Sequence, residues 1–204
     1  MMIRNIWCVG RNYADHAKEL GNEVPSKPLI FLKAGSSATV NSNIIEIPYW
    51  AEEVHHEVEL ALKLSSHLHV IEGALALDLT ERKVQAEAKK AGLPWTLAKS
   101  FDGACPISSF FMMKKLDDFK DRSIKLWVND ELKQEGRTSQ MIFGFEQLVD
   151  HIKTYFPVCQ GDLILTGTPA GVGPLRAGDI VRAEFEGEMT HTWKVQWQKK
   201  PTEE

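Results

Sequence analysis

The sequence predicts an α+β, β-rich fold in which strands dominate and a few helices connect them. Short apolar runs recur with period-two alternation, only a few segments carry helical spacing, and glycine and proline punctuate the chain between them. At 204 residues, with 43% hydrophobic and 25% charged side chains, the chain can bury a substantial core and reads as one domain, 1–204.

The elements follow in order. Ile6–Val9 is a short strand, and after Gly10 a polar stretch, Arg11–Gly21, has helical spacing. Pro25 and Pro28 break it before a second apolar strand, Leu29–Leu32. A helix follows Asp78, with Thr80 as N-cap, Val84, Ala88 and Ala91 on one face, and Gly92 and Pro94 as its stop. Ile124, Leu126 and Val128 alternate before an Asn129-Asp130 turn. Another helix runs from about Phe145 to Phe156, with Leu148, Val149, Ile152 and Tyr155 inward and Pro157 at its end. Asp162–Thr166 and Ile180–Phe185 read as strands, the latter turning at Gly187 into Trp193, Val195 and Trp197. The expected sheet system is largely antiparallel.

Composition removes several function classes. Lys plus Arg (24) against Asp plus Glu (28) gives a net charge of −4, and no basic stripe stands out, which argues against nucleic acid and anionic membranes as partners. No apolar run reaches membrane-spanning length, and MMIRNIWCVGRNY lacks the pattern of a secretory signal. Cys8, Cys105 and Cys159 are odd in number and far apart, which fits neither a disulfide scaffold nor a zinc ribbon. A reducing cytoplasm is the expected compartment.

The segment HHEVELALKL, residues 55–64, concentrates polarity at the start of a strand. In a continuous strand His55, Glu57 and Glu59 project together, while Val58, Leu60 and Leu62 face the other way. Neighbouring carboxylates repel unless a cation lies between them, so the choice is a metal site or a solvated edge. Asp78 ends an apolar strand just before a helix and supplies a third carboxylate. Glu57, Glu59 and Asp78 make an all-oxygen set, which favours Mg2+, Mn2+ or Ca2+ over zinc. His55 and His56 read as supporting or structural groups.

Three further segments carry candidate chemistry. In GRNYADHAKELG, His16 and Glu19 stand at i and i+3 of a helix, where a carboxylate can fix an imidazole's tautomer; an exposed polar turn is the competing reading. In WTLAKSFDGACP, Lys99 and Asp102 lie among small and apolar residues, and a partly buried Lys99 could neutralise a carboxylate or oxyanion; a surface lysine with a buried stem is the alternative. LTGTPAGVGP, 165–174, offers backbone N–H groups and the Thr166 and Thr168 hydroxyls to an anion, but it is not a P-loop and a tight turn would explain it alone.

Taken in order, CVGRNYADHAKE, PLIFLK, HHEVELAL, ALDLTERKVQ, GLPWTLAKSFDGACP, QEGRTSQMIF and GDLILTGTPAGVGP resemble the fumarylacetoacetate hydrolase family, in its small single-domain acylpyruvase-type form. The resemblance covers Ile6 to about Trp197. It implies a fold of rolled mixed β-sheets with a few helices, commonly dimeric. It also implies Mg2+ or Mn2+ (Ca2+ being possible in crystals) at Glu57, Glu59 and Asp78, and a His16–Glu19 dyad that activates water on a mobile lid, 11–25. Lys99 and Gln85 would touch substrate, with Arg11, Tyr13 and Thr168 lining the pocket. Family members usually carry a longer segment before the Asp strand, which implies a deleted or missing stretch near 73–74. The expected activity is hydrolysis of a C–C bond in acylpyruvates or related β-diketo acids. Oxaloacetate decarboxylation or 2-hydroxy-dienoate isomerisation at the same metal–enolate site is the alternative. A 2-His-1-carboxylate oxygenase is a poor fit to HHEVE.

Overall fold

The computed structural model describes residues 2–19, 21 and 23–201. The first half of the chain contributes β1 (Asn5–Gly10), α1 (Ala14–Glu19), β2 (Leu29–Ala34), β3 (Ala38–Val40), β4 (Ile44–Ile47) and β5 (Val54–His56). It continues with β6 (Val58–Leu64), β7 (Val70–Leu77), β8 (Thr80–Glu81), α2 (Arg82–Ala91) and α3 (Thr96–Lys99). The second half supplies β9 (Cys105–Ile107), β10 (Phe111–Met112), β11 (Ser123–Val128), β12 (Glu131–Arg137) and α4 (Phe145–Tyr155). It closes with β13 (Leu163–Leu165), β14 (Gly173–Pro174), β15 (Ile180–Phe185) and β16 (Met189–Trp197).

Alternation along β6 decides where the core lies. Val58, Leu60, Leu62 and Leu64 enter the main apolar cluster, together with Leu75 and Leu77 of β7 and the aromatic and aliphatic side chains of β11 and β15. The opposite face of β6 and β7 carries small residues, Ala61, Ala74 and Ala76, against Cys8, Cys105 and Leu165. Glu59 belongs to this second face by the same alternation.

An eight-stranded sheet runs β2-β1-β13-β6-β7-β9-β3, with β10 paired to β7. A five-stranded sheet runs β12-β11-β15-β16-β4, and a small one runs β14-β5-β8. The sheets are largely antiparallel, as expected, with some parallel pairings mixed in. β1 pairs β13, β3 pairs β9 and β16 pairs β4 in parallel, each a pairing between segments far apart in sequence.

Several boundaries shift for identifiable reasons. Thr80 is a strand residue paired with His55, and its hydroxyl donates to the Asp78 carbonyl. The cap of α2 is Glu81, whose carboxylate accepts from the Val84 N–H at 2.5 Å. The buried side of α2 is Gln85 and Ala88, so Ala91 is exposed and Val84 half-buried. Gly92 ends the helix in the left-handed conformation, as expected. In α4 Tyr155 points to solvent, 68% exposed, where it stacks on His151; Leu148, Val149 and Ile152 face in. Asn129 and Asp130 both take positive φ in the β11–β12 turn. β7 runs unbroken through Gly73 and Ala74 in register with Leu62 and Ala61, joined to β6 by the turn at 65–69.

Candidate active site

Three chain segments carry the carboxylates to one place. β5 and β6 are not one continuous strand. Glu57 lies in the break between them, and Glu59 is the second residue of β6. Asp78 follows the last residue of β7, its N–H donating to the Glu57 carbonyl at 2.9 Å. One oxygen from each of Glu57, Glu59 and Asp78 lies within 4.8 Å of the others, and all three side chains are buried. His55 does not share their direction, because its ring pairs with Glu53 at 3.0 Å. His56 turns to the Gln134 side-chain oxygen at 2.9 Å, a structural role.

Three cations meet these acids, and two were not anticipated. Lys99, at the end of α3, bridges Glu57 at 2.9 Å and Asp78 at 2.6 Å. Arg82 on α2 pairs with Glu57 and holds the Gln85 amide oxygen at 2.9 Å. Lys33, on β2 and fully buried, lies 2.8 Å from Asp78 and donates to the carbonyls of Leu79, Lys99 and Ala104. Its protons are directed at those carbonyls, so the nearby Asp78 Oδ1 has an ion pair but no aligned hydrogen bond.

Charge is unevenly satisfied across the triad. Burial works against ionising Glu57, but Lys99, Arg82 and His16 outweigh it and hold that carboxyl well below the usual range. Among the described residues, Glu59 has only the Gly167 N–H, at 2.5 Å, as a hydrogen-bond donor. Burial, with Asp78 and Glu57 beside it, pushes the Glu59 carboxyl well above the usual range. For Lys99, burial is opposed and exceeded by Asp78 and Glu57, which raise it. Lys33, Lys99 and Arg82 are all drawn to Glu57 and Asp78, so the all-oxygen donor set keeps a Glu59 carboxylate with no ion pair and an Asp78 oxygen with no hydrogen bond. The residues fit a hard divalent cation.

The His16–Glu19 pair forms as expected. His16 Nδ1 lies 3.1 Å from Glu19 Oε2, and the other Glu19 oxygen accepts from the Gly171 N–H at 3.0 Å. Leu20 and Asn22 of the expected lid, 11–25, lie outside the described residues. The base of α1 is tied down by the buried Asn12, whose amide bonds Phe143 N–H and the carbonyls of Phe143 and Thr166.

The 165–174 loop is more than a turn. Gly167 and Gly171 have φ of +98 and +99, and a Cβ on either would collide with Asn12 or with the Lys133 carbonyl. Their N–H groups serve Glu59 and Glu19, so the loop holds carboxylates of this chain. The Thr166 hydroxyl is spent on the Leu60 carbonyl. Thr168 remains beside the cleft.

A cavity of about 40 Å3, room for a few water-sized atoms, is lined by His16, the acidic triad, Lys99, Arg11, Arg82, Gln85, Lys89 and Thr168. Tyr13 is absent from that lining. It is buried under the loop beside Gly136, and burial, with Glu59 nearby, raises its phenol well above the usual range. Asp102 is also absent from the lining. Arg82 had a signal in sequence, since it shares a helical face with Gln85 at i,i+3. Lys89, four residues after Gln85, shares that face, whereas Lys33 had no signal beyond its charge.

Residues 5–196 match the family described as fumarylacetoacetate (FAA) hydrolase C-terminal. The chain is 41% identical over 205 residues to the oxaloacetate tautomerase FAHD1, mitochondrial, of Bos taurus, covering 95% of this chain and 92% of that one. It is 44% identical over 197 residues to the mitochondrial oxaloacetate decarboxylase of Dictyostelium discoideum, covering 90% and 89%. Among solved structures, fumarylpyruvate hydrolase from Pseudomonas aeruginosa in complex with Mn2+ and pyruvate superposes with a TM-score of 0.89 at 28% identity, covering 96% and 91%. The expected cytoplasmic compartment is corrected by these relatives, which are named mitochondrial. Unpaired, widely spaced cysteines indicate a reducing environment and do not distinguish one such compartment from another.

Proposed function

The chain belongs to the fumarylacetoacetate hydrolase C-terminal family, and from that premise we propose that it interconverts the keto and enol forms of oxaloacetate or a closely similar 2-keto dicarboxylate. The observation that carries this reading is the placement of His16, held by Glu19, on the same small cavity as the three carboxylates. The names of relatives more than 40% identical over nine-tenths of the chain support the substrate.

Glu57, Glu59 and Asp78 would hold Mg2+ or Mn2+, which supplies Lewis-acid stabilisation of negative charge on an enolate oxygen. The chain's own residues move the proton. Glu19 accepts from His16 Nδ1–H, which leaves Nε2 as the lone pair available to the cleft. His16 takes a proton from the methylene carbon between the keto group and the distal carboxylate and returns it to the keto oxygen, so no water is consumed. Arg11, Arg82 and Lys89 give the rim a positive field that suits a dianion. Gln85, held by Arg82, and Thr168 orient it.

The hydrolytic expectation gives way here, because the same dyad can shuttle a proton and the hydrolase neighbour is the less identical one. Decarboxylation is the second reading, favoured by the Dictyostelium relative. It breaks a C–C bond to release CO2 and leaves the enolate of pyruvate, with its negative charge on the same keto oxygen, and a proton delivered to carbon completes pyruvate. The test follows enol-oxaloacetate by ultraviolet absorbance with Mg2+ present, alongside pyruvate release and acetylpyruvate cleavage. Accelerated ketonisation that His16→Ala removes while Mn2+ still binds supports the proposal. Acetylpyruvate cleavage without any effect on oxaloacetate would overturn it.

A further inference from the structure

We infer that Gln134 sets the direction of the Thr168 hydroxyl, so that Thr168 presents a proton rather than a lone pair to the cleft. Gln134 lies on β12, in the five-stranded sheet, and its side chain is fully buried. Its amide oxygen accepts from the Val58 N–H at 3.1 Å. Its amide nitrogen lies 2.8 Å from the Pro169 carbonyl and 2.7 Å from Thr168 Oγ1.

The two backbone partners leave no freedom in how this amide is turned. A backbone N–H can only donate and a carbonyl can only accept, so the oxygen must face Val58 and the nitrogen must face Pro169. The bond to Thr168 therefore runs from the amide N–H to the hydroxyl oxygen. A threonine hydroxyl carries a single proton, and that proton must point elsewhere. No described residue accepts it, and Thr168 lines the cavity with the acidic triad and His16. The cleft thus receives a hydrogen-bond donor aimed from a buried position, suited to a carboxylate or enolate oxygen and mismatched to a substrate group that itself donates.

The arrangement has a second consequence that needs no substrate. His56 Nδ1 faces the same amide oxygen at 2.9 Å, so the neutral ring must carry its proton on Nδ1. Gln134 is a positioning residue acting through Thr168, and it links the five-stranded sheet to the loop that also holds Glu59.

The identity of the acceptor rests on the enolate chemistry proposed above, and the experiment separates the two ideas. Oxalate, a planar dianion shaped like a pyruvate enolate, is titrated into the Mn2+-loaded protein by calorimetry, for wild type, Thr168→Val, Gln134→Glu and the double variant. Thr168→Val is expected to weaken oxalate by roughly tenfold or more, as for one hydrogen bond to a charged group. Gln134→Glu should lose a similar factor, because the hydroxyl proton then turns to the introduced carboxylate. The double variant should be no weaker than either single, and Thr168→Ser should retain affinity. Mn2+ affinity and melting temperature are followed in each variant to show that the folded site persists. Losses that simply add, or an unchanged Gln134→Glu, would overturn the inference. Should Gln134→Glu not fold, 15N spectra of wild-type His56 decide: a proton on Nδ1 supports the amide polarity, and one on Nε2 alone overturns it. Wild type that fails to bind oxalate sinks the enolate reading, while the His56 tautomer still decides the role of Gln134.

Discussion

Lys33 has no exposed surface, and its surroundings explain how a lysine can lie there. Three carbonyls and Asp78 surround the ammonium, drawn from residues 78–79 and from Lys99 and Ala104 further along the chain. Lys33→Met would take a donor from each of those carbonyls, only that of Ala104 keeping another in the Leu79 N–H, and leave Asp78 to Lys99 alone. Breaking a buried pair from one side costs about 3–5 kcal/mol, so the urea midpoint should fall sharply. A midpoint within error of wild type would show that the pair is not energetically coupled. Glu59 presents the opposite case, a buried carboxylate with no cation of its own. Replacing it by Gln should raise the melting temperature in EDTA and abolish Mn2+ binding, which calorimetry would register. Glu57, Glu59 and Asp78 are legible in the sequence because acids at a strand start and a strand end are out of place. Lys33 is not, because a lysine at the end of an apolar run reads as a snorkelling edge residue until the carbonyls around it are known.

At the level of elements, α2 and the 165–174 loop bring the cleft together. α2 carries Arg82 and Gln85 inward, and Glu81 anchors its first turn by accepting from Val84 and from the Glu53 N–H at 2.9 Å. Glu81→Ala should cost about 1 kcal/mol of stability, the usual effect of losing a cap. It should also raise KM more than it lowers kcat, since the helix positions substrate contacts rather than the proton shuttle. Equal losses in both would place α2 in the chemical step instead. The helix itself is legible from Gly92 and the spacing of its residues. Its start and its inward face are not, because pairing of Thr80 with His55 draws one more residue into a strand and rotates the buried side toward Gln85. The loop misleads in the other direction. Its glycines suggest an anion site, and their N–H groups are already engaged by Glu59 and Glu19 of the same chain.

For the whole molecule, alternation reveals the strands but not their order. β1 lies beside β13, whose partner residues are more than 150 positions away, and nothing local specifies that pairing. What the assembled sheets produce is a closely opposed set of charges whose balance depends on pH. A buried acid whose folded pKa is raised binds a proton in the folded state that the unfolded chain has released. Above the unfolded carboxylate range, Glu59 therefore costs stability progressively as pH rises through its folded value. Glu57 is shifted the other way; its contribution is present above the unfolded range and is lost progressively as pH falls below it. The metal-free protein should thus lose stability as pH rises above the ordinary carboxylate range. A divalent ion replaces the missing proton at Glu59, so its binding strengthens over the same interval. Melting temperatures in EDTA and in Mg2+ should separate as pH rises, and the separation should vanish in Glu59→Gln. A gap that stays constant across the interval would mean that the proton and the metal do not compete for this carboxylate, and the triad would lose its claim to be the metal site.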